Sequence, residues 1–187
     1  MLMAGLVLAA AQFSAAAVDA APAVTLSDLT LRSPGSAPVD VGAFVQAHRL
    51  TVVVFYSATC PCFAAHLQRL AGLVNAFRPQ GVGFLIVDAE GSADGPSATP
   101  WPAELALPVL RDDGARLARR LAARFATQSF VLDAQGTVRF QGGIDNERKT
   151  LTDRAQPYLR NALSDLLAGS APRLSSAKTF GCLLRLR

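Results

Sequence analysis

An α/β fold, a mixed β-sheet flanked by helices on both faces, is what this sequence predicts, and three observations carry the prediction. Two apolar runs, "TVVVFYS" at residues 51–57 and "VGFLIVD" at residues 82–88, have the unbroken β-branched and aromatic character of strands buried on both faces. Between them Phe63, Leu67, Leu70, Val74 and Phe77 fall at steps of three or four, the spacing of one helix face. Beyond them "SFVLDAQGTVRFQGG" reads as a β-hairpin, and residues 158–167 as a closing helix. A right-handed βαβ unit joined to a hairpin and a helix gives a mixed sheet covered on both sides.

Each element has a local cause. Residues 1–21 read as a signal-like leader: an apolar stretch from Met3 to Ala11 is followed by small residues, and Ala15 and Ala17 make an A-x-A pattern, although no Lys or Arg precedes the run. Export, to the periplasm or otherwise out of the cytoplasm, is the expectation, in a setting where disulfides persist. Residues 22–38, rich in Pro, Ser and Gly, read as an irregular lead-in. Asp40 is placed to cap a short helix over residues 41–48. Pro61 opens the long helix, and Pro79 and Gly81 stop it. Residues 107–110 are a short strand; residues 115–125 are a helix with Leu117, Leu121 and Phe125 inward and four arginines outward. The hairpin pairs residues 129–132 with 137–141 around a turn at 133–136. The folded domain then runs over residues 39–168, with residues 169–187 as a basic tail.

Composition agrees with a globular domain: 187 residues, 51% hydrophobic and 17% charged. The formal net charge of +4 sits in the tail, where Arg173, Lys178, Arg185 and Arg187 meet no acid. The body is balanced, which argues against a nucleic-acid partner.

The chemistry gathers where the first strand meets the long helix. With Pro61 at the first helical position, Cys60 is the N-cap and Cys62 the second helical residue. An N-cap group faces the free N–H groups of the first turn at the positive end of the helix dipole, so a Cys60 thiolate is stabilised as an anion. Cys60 is therefore the expected nucleophile. Ser57, three residues earlier, is a candidate donor to the same thiolate. Two residues apart in a regular helix, side chains diverge by about 200°. A Cys60–Cys62 bridge closes only because Cys60 lies outside the helix, and it is tight, strained and readily exchanged. Cys182, the third cysteine, sits in the tail, which is long enough to fold back across the domain.

A cysteine pair at the first strand-to-helix junction of such a sheet resembles the thioredoxin-like fold. The stretches "FYSATCPCFAAHLQRL", "FVLDAQGTVRFQGGID" and "YLRNALSDLLAG", with the terminal "FGC", are similar to exported bacterial redoxins, AhpC/TSA-related thioredoxin-like proteins. The resemblance implies thiol-disulfide exchange or peroxide reduction, antioxidant in effect, with Cys60 as nucleophile and Cys62, Cys182 or both as resolving thiols. It implies protein or small-molecule thiols, disulfides or peroxides as partners, and no cofactor. The departures are specific. Thr59 stands where thioredoxins have Trp and Phe63 where they have the second Cys; Val53 replaces the proline of the peroxiredoxin pattern P-x-x-x-T/S-x-x-C. The cis-proline that shapes the substrate groove is replaced by Thr127.

Two other readings fit the residues. Cys60, Cys62 and His66 are two soft thiolates and an imidazole, a possible Cu(I) set of the kind a metallochaperone uses; as a plain residue, His66 is a solvated surface histidine. The arginine face of residues 116–124 is the mark of a non-catalytic interaction module.

Overall fold

The computed structural model describes residues 23–33, 36–91, 105 and 107–186; the leader and its A-x-A pattern lie outside them. In chain order the elements are β1 (Thr30–Leu31), β2 (Val39–Asp40), α1 (Val41–Gln46), β3 (Leu50–Tyr56), α2 (Pro61–Phe77), β4 (Val82–Asp88), β5 (Val109–Arg111), α3 (Arg116–Arg120), β6 (Ser129–Asp133), β7 (Val138–Gly142) and α4 (Tyr158–Leu167).

Five strands form one mixed sheet in the order β5-β4-β3-β6-β7. β3 pairs in parallel with β4, and β4 with β5, while β6 runs antiparallel to both β3 and β7. The two apolar runs are thus the central strands, and every residue of both is buried. Side chains alternate between two cores. Val52, Val54 and Tyr56 face the α2 and α4 side with Phe84 and Ile86; Val53 and Phe55 face the α1 and α3 side with Leu85 and Val87. Burying one such side chain is worth about 1.5–3 kcal/mol, so the doubly covered strands anchor the fold. Among the described residues no helix is long and apolar enough to cross a membrane.

Three elements differ from expectation. The lead-in is not irregular throughout: β1 pairs with β2, and Leu26, Leu29 and Leu31 are buried in the α1 side core. The helix expected over residues 115–125 closes after Arg120. Ala122 takes a left-handed φ of 52°, with Ala122 N–H bonding Arg119 O and Ala123 N–H bonding Ala118 O. That is a Schellman stop, which glycine usually signals and alanine hides. The arginine face is not free either, since Arg116 and Arg120 both pair with Asp28 of the lead-in. Arg119 and Arg124, the other two arginines of that face, make no salt bridge among the described residues.

The tail is fixed to the sheet. Gln141 N–H bonds Ser175 O and Ala177 N–H bonds Gln141 O beside β7. Farther along, Phe125 and Leu183 form an antiparallel bridge; Ala126 N–H bonds Cys182 O and Leu184 N–H bonds Arg124 O, each at 2.9 Å.

Candidate active site

β3 ends at Tyr56, and a turn closed by Cys60 N–H on Ser57 O delivers Cys60 to the start of α2. Cys60 is the N-cap, extended at φ −85° and ψ 107°, with Pro61 opening the helix. Its side chain makes no capping hydrogen bond to the first turn. The helix end therefore acts on the sulfur through its dipole and not through a direct N–H contact. Cys60 is 2% exposed and Cys62 is 7% exposed. The Ser57 hydroxyl lies 3.5 Å from that of Thr59, its partner at this turn. Val53 is in mid-strand and faces the opposite core, away from the cysteines.

The tail brings the third sulfur here. Cys182 packs against the α2 side core with Cys60 and Cys62, and all three thiols are free. Burial, then the hydrogen bond and charge of Cys60, push the Cys182 thiol up to about 11. Burial, then the charge of Cys60 and its hydrogen bond, raise Cys62 too, while Lys149 and Arg148 pull it back. Cys60 is thus flanked by two thiols whose neutral forms are favoured.

Thr127 explains how the tail fits. Its backbone is left-handed at φ 68°, and no peptide bond among the described residues is cis. Thr127 N–H bonds Phe55 O in the central strand, and its hydroxyl donates to Phe180 O of the tail at 3.1 Å. Gly181 lies so close to this segment that a Cβ there would sit 1.8 Å from Ala126 O. The "FGC" glycine is therefore a matter of space: only a residue without a side chain lets Cys182 reach the site.

His66 is not a surface residue. It is 2% exposed, with Nδ1 2.7 Å from Cys62 O and Nε2 3.1 Å from Asp145 Oδ1. Arg69, one turn on, also pairs with Asp145, with Glu147 at 2.9 Å and with Thr152 O at 2.6 Å. Burial pulls the Asp145 carboxyl upward, but hydrogen bonds from His66, the Glu147 amide and Arg69 hold it below its ordinary value. Both ring nitrogens face protein oxygens, Cys62 O and Asp145 Oδ1, and not the cysteine sulfurs. No three His, Cys, Asp or Glu side chains among the described residues are grouped to hold one. The Cu(I) set of Cys60, Cys62 and His66 is not assembled.

Asp145, Arg69 and Glu147 carry no local sequence signal of their place in the site. Asp145 stands in the "FQGGID" stretch and Arg69 three residues after His66, but nothing in either pattern says that they meet.

No curated protein matches this sequence as a relative. Solved structures do match in fold. An uncharacterized conserved protein from Geobacillus kaustophilus is 20% identical with a TM-score of 0.74, over 90% of this chain and 94% of that one. A hypothetical protein from Sinorhizobium meliloti is 17% identical with a TM-score of 0.70, over 90% and 98%. Peroxiredoxin Q of Xanthomonas campestris is 20% identical with a TM-score of 0.53, over 81% and 96%. These likenesses establish the thioredoxin-like fold. The AhpC/TSA family model matches residues 18–141, well over half of the sequence, and ends before α4 and the tail. On that match the chain belongs to the AhpC/TSA family, whose thiol-based oxidoreductase chemistry accords with a cysteine at the head of α2.

Proposed function

We propose that the protein reduces peroxides, with Cys60 as the attacking thiolate and Cys182 as the resolving thiol, Cys62 exchanging with both. The observation that carries this reading is the seating of the tail. The groove beside Thr127, where a disulfide substrate's backbone would pair, is occupied by residues 180–184 of the chain itself. A small peroxide needs no such groove.

The Cys60 sulfur attacks one peroxide oxygen. The S–O bond forms as the O–O bond breaks, and the departing alkoxide or hydroxide takes a proton from water or a neighbouring thiol. Cys60 is left as a sulfenic acid, oxidised by two electrons. Its negative charge is then gone, and with it part of what raised Cys182. Cys182 loses its proton more readily and attacks the Cys60 sulfur; the S–S bond forms, the S–O bond breaks, and hydroxide leaves with that proton as water. A second cellular thiol must reduce the disulfide to restart the cycle. The tail cysteine thus stays quiet until Cys60 has reacted.

Stopped-flow mixing of the reduced protein with hydrogen peroxide tests the proposal. Oxidation well above the rate of a free thiol, abolished in Cys60→Ser, supports it. A rate equal to that of free cysteine overturns it. Export belongs to the same proposal, because the leader would carry these thiols to an oxidising compartment. Fractionation that leaves the full-length chain in the cytoplasm refutes that part.

A further inference from the structure

Three cations stand near the cysteine site, and two of them, Arg148 and Lys149, act on the Cys62 thiol. Phe180, two residues before Cys182, has the Arg148 guanidinium 5.4 Å from its ring centroid and the Lys178 ammonium 4.9 Å from it. The two cations are therefore within about 10 Å of each other, inside a Debye length at about 0.1 M salt. Lys149 follows Arg148 in the chain, and all three side chains are exposed. None of them makes a salt bridge among the described residues, because Asp145 and Glu147 of the same loop are taken by His66 and Arg69. Glu90, whose charge acts on Cys182, accepts the Arg185 amide and makes no salt bridge to these three cations. An aromatic face holds cations without cancelling their charge. Such a cluster repels itself when empty and raises the local concentration of anions.

We propose that Arg148, Lys149 and Lys178 form an anion-recognition rim, which selects a small carboxylate-bearing peroxide or thiol compound for the cysteine site. The inference rests on the thiol-enzyme reading above. The substrate is small because the tail already uses the Ala126 N–H and the Arg124 carbonyl, the groups a partner strand would need. The near-complete burial of Cys60 and Cys62 points the same way.

Iodoacetate and iodoacetamide are alkylating probes of similar size that differ by one negative charge. Both are reacted with the reduced full chain and with Arg148→Gln/Lys149→Gln/Lys178→Gln, at low salt and at about 0.5 M salt. The iodoacetate-to-iodoacetamide rate ratio should be about tenfold higher in wild type than in the variant at low salt. The excess should shrink several-fold at high salt. The ratio cancels changes in thiolate fraction and access, which the neutral reagent reports alone. Equal ratios in the two proteins overturn the rim. Should the variant fail to fold, the wild-type ratio decides: a fall with salt supports the rim, and independence of salt overturns it. Oxidation of wild type by hydrogen peroxide is read in parallel. Its failure would remove the peroxidase reading and leave the alkylation ratio to judge the rim.

Discussion

Gly181→Ala places one methyl group where the docking of the tail is tightest. The new Cβ would meet Ala126 O at 1.8 Å and Ala126 C at 2.9 Å, both backbone atoms. Ala126 cannot step aside, because the next residue, Thr127, is tied by its N–H to Phe55 O in the central strand. The tail must lift instead. It then gives up the Ala126 N–H bond to Cys182 O, the Leu184 N–H bond to Arg124 O and the Thr127 hydroxyl bond to Phe180 O. At about 1 kcal/mol net for each hydrogen bond, the loss is about 3 kcal/mol, or roughly a hundredfold fall in the ratio of docked to free tail. The change is local, since the sheet keeps its own ladder. Amide exchange read by mass spectrometry should show Ala126 and Leu184 opening about a hundred times more often. Cys182, freed from burial and from Cys60, should alkylate faster near neutral pH, because what holds it at about 11 has been removed. Unchanged exchange at Ala126 together with unchanged Cys182 alkylation would refute the steric argument and the docking it describes.

Asp145→Asn removes the buried charge and one of the two oxygens that face His66 and Arg69, and should cost about 3 kcal/mol in urea unfolding. Because the Asp145 carboxyl is held below its ordinary value, its contribution is fully present above the unfolded carboxylate range and fades as pH falls through the lower folded value. The wild-type advantage over the variant should therefore narrow in acid and hold at neutral pH, as read by unfolding series at several pH values. Thr127→Pro, the residue that the thioredoxin-like resemblance implies at this position, should destabilise the fold by more than about 1 kcal/mol in thermal melts. The site has φ 68° and an engaged N–H, and proline can supply neither. Cys182→Ser should leave the first oxidation of Cys60 by peroxide intact and shift the product to sulfenic acid or a Cys60–Cys62 bridge, seen by intact-mass analysis with a sulfenate trap.

The elements that could be read from the sequence are those whose pattern is local. β3, β4, α2 and α4 each carry an unbroken apolar run or a helical stripe, and Asp40 caps α1 with its carboxylate on Ala43 N–H as its position implies. The place of Cys60 at the head of α2 follows from Pro61 in the same way. What could not be read depends on contacts across the chain. Leu26, Leu29 and Leu31 are spaced like loop residues, yet they close one face of the sheet. The early stop of α3 rests on an alanine in a left-handed turn. His66 has the sequence surroundings of a surface histidine, and only Asp145, 79 residues away, shows it to be interior. The approach of Cys182 to Cys60 was open to the sequence as a question of length alone. Its answer lies in Gly181 and in a backbone ladder that has no side-chain signature.

In the proposed cycle Cys60 reacts first and is resolved by a thiol already beside it. The most direct test oxidises the reduced full chain with one equivalent of hydrogen peroxide, quenches with alkylating agent at successive times, and maps the peptides without reduction. A disulfide containing Cys60 is expected in the first turnover, with Cys60–Cys182 among the early products and Cys182 protected from alkylation in step. A Cys60 that stays alkylatable while peroxide is consumed, or a Cys182 that stays fully alkylatable throughout, would contradict it.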